Sequence, residues 1–159
     1  MSASTMHLRF EQFFRRSAAW LLVLTAFAKL YSAAGAARIL SFSDPFLHVQ
    51  HRVLMVAVAL LEVATAACLF SGRPKWASPL ALFWLSGNFI IYRIGASAMG
   101  VSYCHCLGTL GQQLPLSQQS LNLVLTGLVL YWFFGSGYLI WRERQAVETA
   151  RLAALEPAR

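Results

Sequence analysis

Leu121-Asn122-Leu123-Val124-Leu125-Thr126-Gly127-Leu128-Val129-Leu130-Tyr131-Trp132-Phe133-Phe134-Gly135-Ser136-Gly137-Tyr138-Leu139-Ile140-Trp141 decides the fold. These 21 residues contain no charged side chain. As a helix rising about 1.5 Å per residue they span roughly 30 Å, the thickness of a bilayer's hydrocarbon core. Three further apolar stretches of similar length lie upstream, at about 17–37, 53–70 and 76–92. Of all 159 residues, 58% are hydrophobic and 12% charged, whereas a soluble domain carries roughly 25% charged residues. In lipid only helices and closed barrels satisfy the backbone, and the alternation a barrel needs is missing. The sequence therefore predicts an all-α, four-helix integral membrane bundle. Residues 1–159 form one domain, with spans at about 17–37, 53–70, 76–92 and 121–141. Arg15 and Arg16 before an apolar run ending in Ala33-Ala34-Gly35-Ala36 have the layout of a signal peptide, but Lys29 and Tyr31 interrupt the run. A retained first helix is expected.

Orientation follows from the basic residues. With the N-terminus inside, Arg9, Arg15, Arg16, Arg73, Lys75, Arg142, Arg144, Arg151 and Arg159 fall on the cytoplasmic side. Only Arg38, Arg52 and Arg93 fall on the other. The bias predicts that both termini are cytoplasmic. The net charge of +7 is thus a topology signal. No basic-aromatic groove or zinc-finger spacing points to a nucleic-acid partner; the expected surroundings are membrane lipid.

That orientation puts Tyr103-Cys104-His105-Cys106-Leu107-Gly108 on the outer face, which in a bacterium is the oxidising periplasmic side. Cysteines one residue apart close only a small ring, and a tight turn must draw their Cα atoms together. Such a bond is easily reduced, which suits thiol–disulfide exchange through Cys104 and Cys106 better than a structural staple. A protonated His105 between them would favour the thiolate, and Gly108 and Gly111 give the segment turning freedom. A thiol–disulfide oxidoreductase must pass its electrons on, and a quinone near Trp84, Tyr92 and Arg93 is one acceptor the bundle could hold. Cys68, near the other end of the second span, reads as a small packing residue.

Metal binding is the competing reading of the same face. Asp44-Pro45 is expected to start a short helix carrying His48 and His51, which with Cys104, His105 and Cys106 would offer ligands for copper or zinc. Ile39, Leu40, Phe42, Phe46 and Leu47 make this loop apolar enough to lie in the membrane interface. At the N-terminus Phe10, Phe13 and Phe14 alternate with arginines as an interfacial anchor. Pro115, Leu116 and a Ser117 N-cap restart the last helix, and its tail after Arg142 continues as a solvated helix.

Lys29 and Glu62 are ionisable residues inside spans, which makes them functional candidates. They lie roughly 18 Å and 13 Å from the cytoplasmic ends of adjacent helices, within reach of a lysine stem. Their pairing would clamp the two helices or act as a proton or substrate relay. Asn88 is expected to hydrogen-bond across the bundle.

Phe27-Ala28-Lys29-Leu30, then Leu60-Leu61-Glu62-Val63-Ala64 through Leu69-Phe70-Ser71-Gly72, resemble the lysine-leucine signature and the glutamate helix of DoxX-like membrane proteins. Cys104-His105-Cys106-Leu107-Gly108 is similar to the Cys-x-Cys motif of the methylamine-utilisation MauE branch. His105 stands where glycine or proline is expected there, and Leu107 where phenylalanine is usual. The resemblance covers most of residues 17–141. It implies a redox-associated protein of the bacterial inner membrane that assists disulfide formation or maturation of periplasmic proteins, alongside a thioredoxin-like partner. The alternative from a different class is a small transporter or metal-handling protein using Glu62, Lys29 and the outer-face histidines and cysteines.

Overall fold

The computed structural model describes residues 3–35, 43–44, 47–72, 76–100 and 117–155. Four helices make up nearly all of it: α1 Ala3–Ala34, α2 His51–Ser71, α3 Ala77–Ala98 and α4 Gln118–Leu155. Among the described residues there is no strand, only a single antiparallel bridge between Ser43 and Gln50. Three helical segments, Arg9–Ala34, His51–Ser71 and Gln119–Thr149, are long and apolar enough to cross a membrane. α3 has the length, at 22 residues, but is not among them; Asn88 and Arg93 lower its apolar character. The fold is an all-α membrane bundle. Large outward-facing side chains such as Leu24, Phe27, Leu60, Ile91 and Leu123 are exposed, a surface consistent with lipid contact.

The helix ends follow local chemistry. α2 stops where Gly72 takes a left-handed conformation, φ 63°, and its N–H donates to Cys68 O at 3.2 Å, an end that favours glycine. α3 runs past the expected Tyr92 to Ala98, because nothing in Arg93–Ala98 breaks it before Gly100 at φ 77°. Ser117 caps α4: the N–H of Ser120 donates to its Oγ at 3.1 Å, which satisfies one of the free donors of the first turn. The helix then continues past Arg142 to Leu155, as the charged tail suggests.

α1 differs most from expectation. It begins at Ala3 and ends at Ala34, so the phenylalanine-arginine stretch is the start of one continuous helix. Phe10 and Phe13 remain exposed, but Phe14 is 1% exposed and enters the core, its ring 5.1 Å from that of Tyr131. Gly135 makes room for it, since a Cβ there would fall within the Phe14 ring. Arg15 is likewise buried; it pairs with Glu11 at 2.9 Å and donates to Ser78 Oγ at 2.5 Å, tying α1 to the start of α3.

α1 packs chiefly on α2, and α3 chiefly on α4. Small residues line the first seam, with Ala18, Ala19, Ala26, Ala59 and Ala66 all buried, so the backbones approach closely. Antiparallel courses show at both ends. Trp20 stacks edge-on against Phe70 at 5.5 Å, while Arg52 donates to Gly35 O at 3.0 Å. In the second pair, Phe83 stacks on Phe133 at 4.5 Å and Arg93 reaches Asn122. One bundle end therefore carries Gly35, Asp44, His51, Tyr92, Gly100 and Ser117. The α2–α3 interface is sparser and leaves a cleft.

Candidate functional site

Every third or fourth residue of α2 faces inward: Met55, Ala59, Glu62, Ala66 and Leu69. This apolar period carries Glu62 into the bundle, where it is 1% exposed. The matching stripe of α1 carries Thr25, Lys29, Ser32 and Ala33 inward, with Lys29 5% exposed. The two charges meet: Lys29 Nζ donates to Glu62 Oε1 at 2.8 Å and Oε2 at 2.9 Å. A bidentate, desolvated pair of this kind is charge-assisted and short. Thr25 lies beside the carboxylate, its hydroxyl donating to Leu22 O at 3.0 Å. Phe89 places its ring centroid 5.8 Å from the ammonium.

Two cavities adjoin the pair. The smaller, about 30 Å³, is lined from all four helices, by Thr25, Lys29, Glu62, Arg93, Val129 and Trp132 among others. The second is a half-open cleft of about 250 Å³ between α2 and α3; Lys29 forms part of its wall with His51, Trp84, Asn88, Phe89 and Tyr92. Lys29, Phe89 and Tyr92 belong to both.

Polar groups also gather at the end of the cleft that holds His51. Tyr92 Oη donates to Asp44 Oδ2 at 2.5 Å, and His51 Nδ1 lies 3.7 Å from the same oxygen. Asp44 is buried; it accepts from Leu47 N at Oδ1, 2.9 Å away, and from His48 N at its carbonyl, also 2.9 Å away. The residues around the histidines are not the expected short helix. His48 sits exposed in a turn at φ 56°, and His51 is the first residue of α2. The side-chain bond from Asp44 to Leu47 N organises a tight loop closed by the Ser43–Gln50 bridge, so the two histidines are not on successive turns of one helix. Among the described residues no group of three or more His, Cys, Asp or Glu could hold a metal.

Several further expectations change. Arg93 does not share the cleft with Trp84 and Tyr92. It crosses to α4 and donates to Asn122 Oδ1, to Asn122 O at 3.2 Å and to Thr126 Oγ1 at 2.6 Å. Asn88 donates within its own helix, to Trp84 O at 2.8 Å, rather than across the bundle. Cys68 is exposed, outside the buried stripe of α2, and so is not a packing residue. Cys104, His105, Cys106 and Gly108 lie outside the described residues, as do Pro45, Phe46 and Pro115. Sequence reasoning missed Asp44 as the organiser of the loop before α2, and Trp132 and Thr25 as neighbours of the ion pair. For Asp44 a signal existed, a single acid in an otherwise apolar loop. For Trp132 none did, since an aromatic in an apolar run has the same appearance on any face.

The family model described as methylamine utilisation protein MauE matches residues 9–135. No curated protein and no solved structure matches the chain significantly.

Proposed function

The chain belongs to the MauE family of methylamine utilisation proteins, and from that premise we propose that it exchanges thiol–disulfide electrons through Cys104 and Cys106 with a periplasmic thioredoxin-like partner. It does so from the bacterial inner membrane, with both termini cytoplasmic. The observation that carries this reading is where the Cys-x-Cys segment is attached. It leaves α3 beyond Gly100 and rejoins at the Ser117 cap, both at the bundle end that holds Asp44, His51 and Tyr92. The cleft extends to that end, where Leu47, His51 and Tyr92 line it.

In the exchange a partner thiolate attacks one sulfur of a Cys104–Cys106 disulfide, and the other sulfur leaves as thiolate. The partner's second thiol then resolves the mixed disulfide, leaving the partner oxidised and the pair reduced. The two electrons need an acceptor. A lipid-soluble quinone suits the cleft, whose walls are mainly apolar and whose Lys29 and Asn88 offer donors for carbonyl oxygens. When bound, such a group takes up two electrons and two protons. The Lys29–Glu62 pair also supports a second reading, a small transporter, because it sits where all four helices meet.

The test is a thiol-trapping gel shift on membranes, with and without mild reductant, comparing wild type, Cys104→Ser and Cys106→Ser. A reversible disulfide in wild type and a mixed disulfide in a single variant are expected. Thiols that remain reduced on an oxidising outer face would overturn the exchanger. Transport lost in Glu62→Gln but kept in the double serine variant would install the second reading.

A further inference from the structure

The four helices form two pairs that are joined unevenly. Contacts between the pairs, α2 with α3 and α1 with α4, are sparser than those within them. At one bundle end the pairs share a core: Phe14, Leu22, Leu69, Leu82 and Trp132, drawn from all four helices, belong to one buried cluster. Polar contacts fasten the pairs together at this end as well, Arg15 to Ser78 at 2.5 Å and Ser17 to Tyr131 at 3.0 Å. Towards the opposite end the other buried cluster among the described residues, Ala33 and Met55, belongs to α1 and α2 alone. There the cleft of about 250 Å³ separates α2 from α3. It starts beside Leu85, a member of the shared core, and reaches Leu47, His51 and Tyr92. Each pair is fastened internally along this half. Lys29 holds Glu62 and Arg52 holds Gly35 O in the first, while Arg93 holds Asn122 and Thr126 in the second. At the far end one bond crosses from pair to pair: Tyr92 Oη, on α3, donates to Asp44 Oδ2 at 2.5 Å. Asp44 is itself bound to its own loop through Leu47 N and Val49 O, and His51 Nδ1 of α2 lies 3.7 Å from the same carboxylate oxygen.

We propose that the bundle works as a jaw: the α1–α2 pair pivots against the α3–α4 pair about the shared core, and the Tyr92–Asp44 bond is the latch that holds the cleft shut. A close-packed core resists deformation and serves as the fixed point. The half with few buried contacts between pairs opens at lower free energy, and the motion is a hinge between two internally rigid bodies. Opening widens the cleft sideways, towards the lipid-facing surface that Leu61, Trp84 and Ile91 share with it. A lipid-soluble guest thus enters from the bilayer, between α2 and α3. The jaw goes beyond the thiol reading and stands without it, because Cys104 and Cys106 both lie in the connection of α3 to α4, inside one pair.

Pulsed electron spin resonance on the full-length protein in lipid nanodiscs gives the direct test. Nitroxides are carried on a ketone-bearing unnatural amino acid, which leaves the native cysteines unlabelled. Labels at the exposed Val53 and Ile94 span the jaw, and labels at the exposed Phe70 and Leu80 span the core end. In Tyr92→Phe the jaw pair should show a longer second distance, its ratio to the short one raised about 10-fold over wild type, the weight of one hydrogen bond to a charged acceptor. The core pair should keep a single distance, which also reports that the variant is folded. Asp44→Asn, which keeps an acceptor for the Leu47 N–H but weakens the latch, should widen the jaw pair in smaller measure. A jaw distance unchanged from wild type in both variants would overturn the proposal. So would equal widening at the two ends, which means general loosening rather than a pivot.

Discussion

Replacing Lys29 by methionine separates a structural ion pair from a dispensable one. Methionine nearly matches the stem but removes both charge-assisted bonds, at 2.8 and 2.9 Å, and leaves Glu62 at 1% exposure without its counter-ion. Breaking a buried pair from one side costs about 3–5 kcal/mol, while replacing both partners by apolar residues is often neutral or stabilising. The lower figure agrees with the roughly 2.5–3.5 kcal/mol for a lone charge at mid-helix in a membrane. At about 1.4 kcal/mol per decade, Lys29→Met should lower the folding equilibrium constant ~150- to 5,000-fold. The Lys29→Met/Glu62→Leu double variant should return to within about 1 kcal/mol of wild type, or exceed it. Reversible unfolding in mixed lipid–detergent micelles, followed by tryptophan fluorescence, measures all four corners of the cycle. A Lys29→Met cost below about 1 kcal/mol, or a double variant as unstable as the two single losses summed, would refute the reasoning. If the double variant folds and still forms its Cys104–Cys106 disulfide, the pair is a clamp as far as thiol chemistry is concerned.

Three other perturbations test the packing and the bundle end that holds Asp44. Gly135→Ala should destabilise by about 1–3 kcal/mol through overpacking against the buried Phe14 ring, whereas Gly127→Ala, with no atom within 4 Å of the new Cβ, should leave the melting temperature unchanged or raised; equal effects would contradict the close contact of α1 and α4. Arg93→Lys keeps the charge but replaces the planar terminal group, whose Nη2 meets both Asn122 and Thr126, by a shorter, differently directed ammonium. It should cost about 1–2 kcal/mol in the same unfolding assay, and a neutral result would mean that the α3–α4 clamp is not needed. Tyr92→Phe removes the donor to Asp44, so amide exchange at Leu47 and His48, whose N–H groups donate to Asp44, should speed up roughly 5- to 30-fold, the equivalent of about 1–2 kcal/mol; unchanged protection would show that the loop is held by Asp44 and its backbone bonds alone.

The residues divide cleanly between what composition and order decide and what only packing decides. The charge-free run of 121–141, the glycine at 72 and the serine at 117 determine helices and their ends, because these depend on bilayer thickness and on backbone groups within one turn. The approach of Lys29 and Glu62 also follows from sequence. Ionisable groups at comparable depth on neighbouring spans have little choice but each other. Phe14, by contrast, has the composition of an interfacial anchor, and only the gap left by Gly135 on α4 makes it a core residue. Arg93 equally could have faced the cleft or α4. The acceptors Asn122 O, Asn122 Oδ1 and Thr126 Oγ1, 29 and 33 residues away, decide that it faces α4. The same holds for His48 and His51, whose helical spacing is overridden by a side-chain bond from Asp44 to Leu47 N. An indole is apolar by composition, so the sequence marks Trp132 only as a core residue. That it lines the same cavity as the Lys29–Glu62 pair depends on the rotation of four helices about one another. Such rotation is set by side-chain interlocking between distant segments, which periodicity along a single helix does not encode.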